Sequence, residues 1–277
     1  MKIYKICKLI KITEASYYRW IKKGKPKLKT NINNFLLDLI EKIFIENKGW
    51  YGAPRIRIVL LQKYQIKVSE KLVWKYMTNL GFKSLIRKKS KIKKPKEIKT
   101  NKQIFPNIVK RRWSEFEKNQ LWVTDISYIP YNSKNFCYLS IIKDCKTGLI
   151  LSAIISKIND IKLYQATLIE AEQFRDNKNN QLIIHSDNGY QYTSIFAQRY
   201  CQKNNIIISL SKPGNSLDNA MCETFFSSLK TEWLQKQDKA KSFEFIKNKI
   251  KEYVNYYNFS RIRIKTKSTP YEAWCTL

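Results

Sequence analysis

From residue 31 to 80 the apolar positions recur every three or four residues, the spacing of helices buried along one stripe. Asn31–Glu46 carries Phe35, Leu36, Ile40, Ile43 and Phe44 on one face. Ala53–Tyr64 aligns Ile56, Val59, Leu60 and Tyr64. Ser69 then caps Glu70–Leu80, whose stripe is Leu72, Val73, Tyr76, Met77 and Leu80, and Gly81 closes it. Ahead of these, Lys5–Ile10 and Glu14–Lys23 read as short helices, the second capped by Thr13 and followed by Gly24 and the basic connector Lys25–Thr30. Helix, short turn and helix of this size fit a helix-turn-helix and, on spacing alone, equally a plain helical hairpin.

Lys83–Arg112 breaks the pattern, with 13 basic residues, one acid (Glu97) and two prolines, Pro95 and Pro106. It is either solvated chain or a linker that lies along phosphates. From residue 120 the period becomes two. Strands are predicted at Leu121–Pro130, Phe136–Asp144, Leu149–Ser156, Leu182–Asp187 and Ile206–Leu210. Helices are predicted at Ile161–Phe174, Ser194–Lys203, Asp218–Trp233 and Phe243–Asn258, before a basic tail containing Pro270. This is an α/β pattern, a sheet with helices on both faces preceded by an all-α region. The expected division is a short helical segment (1–30), a helix-turn-helix region (31–82), a basic linker (83–117) and an α/β part with its C-terminal helix and tail (118–277).

Charge changes the picture. The chain has 53 Lys and Arg against 22 Asp and Glu, a net +31, where a small domain carries a magnitude of about 2–8. A polyanion is the expected partner, and nucleic acid the obvious one. Lysines dominate, which suits phosphate contacts more than base reading, although an AT-rich genome gives the same bias. Apolar residues at 43% rule out wholesale disorder, and 13% aromatics set the chain apart from histone-like packing proteins. No apolar run approaches the roughly 18 residues that cross a bilayer, and lysines interrupt Met1–Ile12, so neither a membrane helix nor a signal peptide is expected. Six scattered cysteines with no C-x-x-C pair, and His185 as the one histidine, speak against a structural zinc site and fit a reducing cytosol.

Three acids carry the candidate chemistry. Alternation puts Leu121, Val123, Asp125, Ser127 and Ile129 on one strand face, where a carboxylate needs neutralising. Asp187 ends its strand just before Asn188-Gly189, and ligands collect at the carboxyl ends of strands in open α/β sheets. Glu223 runs beside the stripe Cys222, Phe226, Leu229 and Trp233. Each acid alone is more often a cap or salt-bridge partner. Together, without His or Cys ligands, they point to a hard cation held by oxygen, Mg²⁺ or Mn²⁺. Two such ions about 3.5–4 Å apart can bridge a scissile phosphate.

The segments Trp122-Val-Thr-Asp125-Ile-Ser-Tyr128, His185-Ser-Asp187-Asn-Gly-Tyr-Gln-Tyr-Thr-Ser194 and Pro213-Gly-Asn-Ser-Leu-Asp-Asn-Ala-Met-Cys-Glu223, with 35 residues between Asp187 and Glu223, resemble the transposases of the insertion-sequence-three family, bacterial relatives of retroviral integrases. Tyr256-Tyr-Asn258, Arg261-Ile262, Lys265 and Ser268-Thr-Pro270 resemble that family's C-terminal motif, and Tyr51-Gly52, Arg55-Ile56, Leu60 and Val73 to Gly81 its helix-turn-helix. The resemblance implies a ribonuclease-H-like mixed sheet with Asp125, Asp187 and Glu223 as catalytic ligands of two Mg²⁺ (or Mn²⁺) ions, and Lys230 directed at the element's end DNA. Arg55, Arg57, Lys71 and Arg261 are further candidate DNA contacts. His185 and Asn188 are expected to support and orient the site. With no Ser, Tyr or His nucleophile expected beside the triad, no covalent protein–DNA intermediate should form.

The implied activity is metal-dependent cleavage and strand transfer at insertion-sequence ends, that is, DNA integration and recombination. The implied partners are double-stranded terminal repeats and target DNA, the product of an upstream reading frame, and further copies of the chain on DNA. The implied location is the bacterial cytoplasm, at the nucleoid, with no membrane. Two other readings stand beside it: a catalytically incomplete DNA-binding regulator of transposition, and a nuclease of the same fold that only hydrolyses. The intact triad and Lys230 argue against the first, and the helix-turn-helix and basic linker against the second.

Overall fold

Side-chain caps and a shared apolar stripe build the helical N-terminal layer. The computed structural model describes residues 3, 4, 7, 13–22, 33–84, 105–132, 135–175, 180–212, 219–234 and 242–277. Most of the helix read at Lys5–Ile10, the connector, most of the basic linker and the loop 213–218 lie outside the described residues. Helix α1 covers Glu14–Lys22, α2 Asn34–Glu46, α3 Ala53–Tyr64 and α4 Glu70–Asn79. Asn33 accepts from the Leu36 amide and Ser69 from the Leu72 amide, satisfying N–H groups that no helical carbonyl reaches. Leu36, Leu39, Ile40 and Ile43 of α2 are buried with Ile56 and Leu60 of α3 and Val73, Tyr76 and Met77 of α4. Phe35 departs from the expected stripe and is 63% exposed, because the buried face is centred a step further round the helix.

Helix α3 is buried on a second side, where Ile58 is covered and Ile262, from the far end of the chain, joins the same cluster. The Tyr51 hydroxyl accepts from the Ile262 amide (2.8 Å) and donates to the Ser260 carbonyl (3.0 Å). Arg55 Nε donates to the Ile262 carbonyl (2.9 Å), and Gln62 to that of Lys267 (2.7 Å). Trp50 packs on Trp233 and Tyr256, with ring centroids 5.1 and 5.0 Å away. The helical layer is fastened to the C-terminal segment by these contacts.

Strands β1 (Leu121–Pro130), β2 (Phe136–Asp144), β3 (Ile150–Ser156), β4 (Leu182–Ser186) and β5 (Ile206–Leu210) form one sheet in the order β3-β2-β1-β4-β5. The first three pair antiparallel, while β1–β4 and β4–β5 pair parallel. Parallel neighbours need crossovers, supplied by α5 (Ile161–Ala171) and α6 (Ile195–Lys203). Alternation sends Trp122, Ile142, Ile184 and Ile208 to the α5–α6 side. Val123, Ile129, Leu139 and Ile141 face α7 (Ala220–Ser228) and α8 (Phe243–Phe259). This is the ribonuclease-H-like mixed sheet with helices on both faces that the sequence leads one to expect.

Two local departures matter. The helix read to Trp233 is α-helical only to Ser228; Leu229–Leu234 forms a π turn, which carries Leu229, Thr231 and Glu232 all inward. The tail is not irregular, since Thr269 and Glu272 form a capping box that opens α9 (Pro270–Thr276). Between β2 and β3, Gly148 adopts φ 76° beneath the Arg263 guanidinium, which a Cβ there would overlap. No helix among the described residues is long and apolar enough to cross a membrane.

Candidate active site

Pairing between β1 and β4 runs to Val123 opposite His185. Two residues further stand two half-buried aspartates, Asp125 within β1 and Asp187 just past the end of β4. Asp125 Oδ1 accepts from the Ile126 amide (2.8 Å) and Asp187 Oδ1 from the Gly189 amide (3.1 Å). Both carboxylates act on two buried neighbours. Burial first, then Asp125 and Asp187, hold the Tyr192 phenol and the Cys222 thiol well above their ordinary ranges, with Lys143 opposing the shift at Cys222. Cys222 immediately precedes Glu223, so the aspartate pair lies against the start of α7.

Glu223 itself is exposed on the first turn of α7. The structure brings together Asp125, Asp187 and the beginning of α7, but does not close Glu223 onto the pair. Among the described residues no three His, Cys, Asp or Glu side chains form a group able to hold a metal. The loop leading to α7 is outside the described residues, and Asn219 enters the helix without a side-chain cap bond. What ties α7 to the sheet is Lys143, a residue passed over in the sequence. It is buried on β2, and its Nζ donates to the Met221 carbonyl and the Tyr257 hydroxyl, each at 3.2 Å. Burial acts most strongly to raise the Tyr257 phenol, but Lys143, Arg263 and Arg261 together bring it below its ordinary value. The signal was a lysine inside the apolar run of β2, which must find partners.

Lys230 reaches back to β1, where its Nζ donates to Ser127 Oγ (2.7 Å), two residues from Asp125 on the same strand face. It gets there from the π turn, not by continuing the α-helical face that begins at Glu223. His185 is fully buried, its Nδ1 2.9 Å from Ser209 Oγ and its ring edge-on to Trp113. It braces β4 against β5 behind Asp187, while Asn188 follows Asp187, half-buried. One tyrosine does stand beside the acids, Tyr192; enclosed and held protonated, it is not a nucleophile toward DNA.

The candidate DNA contacts separate sharply. Arg261, expected to face DNA, is 5% exposed and committed to Glu232, with Nη2–Oε1 at 2.6 Å and Nε–Oε2 at 2.8 Å. That expectation is corrected: a guanidinium so enclosed braces the fold. Arg55 is half-buried and spent on the Ile262 carbonyl and the Tyr51 ring. Arg57 is half-buried, and its Nε has no hydrogen-bond partner among the described residues. Lys71 is exposed on α4, and one turn on stands Trp74, 63% exposed, an aromatic that the sequence pattern alone did not single out. Its signal was its place outside the stripe of Leu72, Val73, Tyr76 and Met77.

The oxygen-only donors fit a hard cation, because the thiols near the sheet stay protonated. Burial pushes Cys137 and Cys145 up to about 11 and Cys201 up to about 12. Of the six cysteines only Cys275 is exposed. An aromatic disulfide reagent at pH 8 is therefore expected to titrate one thiol quickly in the native protein and the other five only on unfolding; two or more fast thiols would contradict the burial.

Residues 116–216 match the family model "Integrase core domain", 223–272 a second model of that description, and 32–90 the model "HTH-like domain". The chain is 31% identical over 235 residues to the putative transposase InsK for insertion sequence element IS150 of Escherichia coli (strain K12), covering 84% of this chain and 80% of that one. It is 30% identical over 239 residues to the transposase for insertion sequence element IS904 of Lactococcus lactis subsp. lactis (strain IL1403), covering 86% and 92%. Among solved structures it is similar to the HTLV-2 integrase catalytic core domain in complex with magnesium (trimeric form), with 17% identity, a TM-score of 0.44, and coverage of 62% of this chain and 99% of that one.

Proposed function

We propose that this chain, which belongs to the insertion-sequence-three family of DNA transposases, hydrolyses a phosphodiester at the element's end and directs the freed 3′-hydroxyl at a second phosphodiester, joining one end to the other. The observation that carries this reading is the pair Asp125 and Asp187, each two residues beyond the last partners of the parallel β1–β4 ladder, Val123 and His185, and both acting on Cys222 of the helix that bears Glu223. These three residues would hold divalent metal, Mg²⁺ or Mn²⁺, two ions per site. When bound, such ions activate water and stabilise the leaving oxygen.

The chain's own residues supply the rest. The Lys230 amine, held over β1 by Ser127, neutralises a phosphate of the end DNA next to the acids and fixes the strand's approach. Lys143 ties the first turn of α7, the turn that bears Glu223, to the sheet through the Met221 carbonyl. His185 holds β4 in register with β5 beneath Asp187. Lys71, on the open face of α4, meets the backbone of the terminal repeats. In this division of labour 31–82 binds DNA, 83–117 tracks phosphates and 118–277 carries the chemistry, behind the short segment 1–30. The chain works as several copies on DNA, fused to or mixed with an upstream-frame product, in the bacterial cytoplasm at the nucleoid.

The test uses a supercoiled plasmid bearing both element ends, with Mg²⁺ and the upstream-frame product, its products resolved after protease digestion. Joined ends are expected. Nicked or linear DNA alone would make the chain a nuclease, tight binding without any product a regulator, and protein left on the DNA ends would overturn a mechanism without a covalent intermediate.

A further inference from the structure

Tyr192 sits where the core under α5 and α6 meets Asp125 and Asp187. Its ring belongs to that core, edge-on to Tyr164 with centroids 4.8 Å apart. The turn after β4 folds the chain back over Asp187: the Gly189 amide donates to Asp187 Oδ1 and the Tyr192 amide to the Gly189 carbonyl, each at 3.1 Å. A Cβ at Gly189 would stand 3.1 Å from that carboxylate oxygen and 3.1 Å from the Tyr192 ring. The absent side chain is what lets ring and carboxylate lie side by side.

The hydroxyl is the anomaly. It is enclosed, and among the described residues it has no hydrogen-bond partner. Buried hydroxyls are as a rule bonded, and phenylalanine would pack the same space without leaving a donor bare. The charges acting on it are first those of Asp125 and Asp187. Enclosed as it is, it contacts neither DNA nor bulk solvent, and the acids beside it are those of the site.

We propose that Tyr192 is a positioning residue whose hydroxyl donates to a carboxylate oxygen of the Asp125–Asp187 pair when that pair holds its divalent ion, fixing which oxygens face the metal. The proposal rests on reading those aspartates as metal ligands. A donor on one oxygen stops the carboxylate from rotating and leaves the other oxygen for the cation.

The test titrates the full chain, Tyr192→Phe and Asp187→Asn with Mn²⁺, free ion being read by electron paramagnetic resonance, and melts each protein without metal. Tyr192→Phe is expected to melt at or above the wild-type temperature yet bind Mn²⁺ about tenfold or more weakly, with Asp187→Asn impaired as well. Unchanged Mn²⁺ affinity in Tyr192→Phe, with Asp187→Asn impaired, overturns the role of Tyr192 and leaves the metal site standing. A lower melting temperature in Tyr192→Phe also overturns it, because the hydroxyl would then be bonded within the metal-free fold. Wild-type affinity in Asp187→Asn overturns the metal site itself, and the inference with it.

Discussion

Asp187→Asn should lower DNA cleavage by about a thousandfold or more while the protein still folds and still binds DNA. The substitution keeps the shape of the side chain and its acceptor oxygen for the Gly189 amide, but removes a negative ligand from the site. Metal assistance supplies several kcal/mol of transition-state stabilisation, and each ~1.36 kcal/mol is a factor of ten in rate. Asp125→Asn and Glu223→Gln should act in the same direction. Glu223→Gln is the more telling of the two, because Glu223 stands exposed on α7 rather than closed on the pair. Folding should not suffer, since Asp125 and Asp187 are like charges side by side and removing one relieves their repulsion. DNA affinity should hold or rise, because the backbone it meets is negative. Single-turnover cleavage of a labelled end, run beside a filter-binding measurement, separates the two effects. A variant that cleaves at the wild-type rate would remove that residue from the site.

Glu232→Ala should cost about 3–5 kcal/mol of stability, the usual loss when one partner of a buried ion pair is removed. The Arg261 and Glu232 side chains are 6% and 9% exposed. The same carboxylate accepts from the Tyr253 hydroxyl (3.1 Å), and Arg261 Nη2 also donates to Ser228 Oγ (3.3 Å). With Glu232 gone, a guanidinium is left enclosed and unneutralised where the π turn, α8 and the tail meet. At about 2–4 °C per kcal/mol for a large domain, the melting temperature should fall by about 6–20 °C. Replacing both partners, Glu232→Leu with Arg261→Met, should recover most of the loss, because the penalty lies in the orphaned charge and not in the missing pair. A shift under about 2 °C for Glu232→Ala would show that water reaches the pair. Arg261→Ala should likewise destabilise, without changing how DNA affinity of the folded protein depends on salt, as a true phosphate contact would.

The pair also shows where reading by residue type stops. An arginine in a strongly basic chain is taken for a DNA contact, and Arg55 and Arg261 were expected to be two. Their partners, the Ile262 carbonyl and Glu232, lie 207 and 29 residues away, and no local pattern announces them. Lys143 is the intermediate case: a charge inside an apolar strand declares that it needs a partner without saying which. Tyr192 is the hardest, since within the sequence it is one aromatic among many.

Features governed by short-range physics were readable in the chain. A helix or strand declares itself through the period of its apolar residues, so the three strands from Leu121 to Ser156 and the cap at Ser69 needed only their neighbours. The same locality made the Thr269–Glu272 capping box legible, although it was passed over. Asp125 on β1 and Asp187 just past β4 could be named because side-chain alternation and the strand-end rule are local as well. The order β3-β2-β1-β4-β5, the parallel pairing of β1 with β4 that leads to Asp125 and Asp187, the exposure of Glu223, the π turn that buries Glu232 and the docking of Tyr51 on Ile262 were settled only when distant segments met. Each depends on burial and on pairing between groups far apart in the chain, and which partner a buried charge or hydroxyl finds is a property of the packed whole rather than of any window along it.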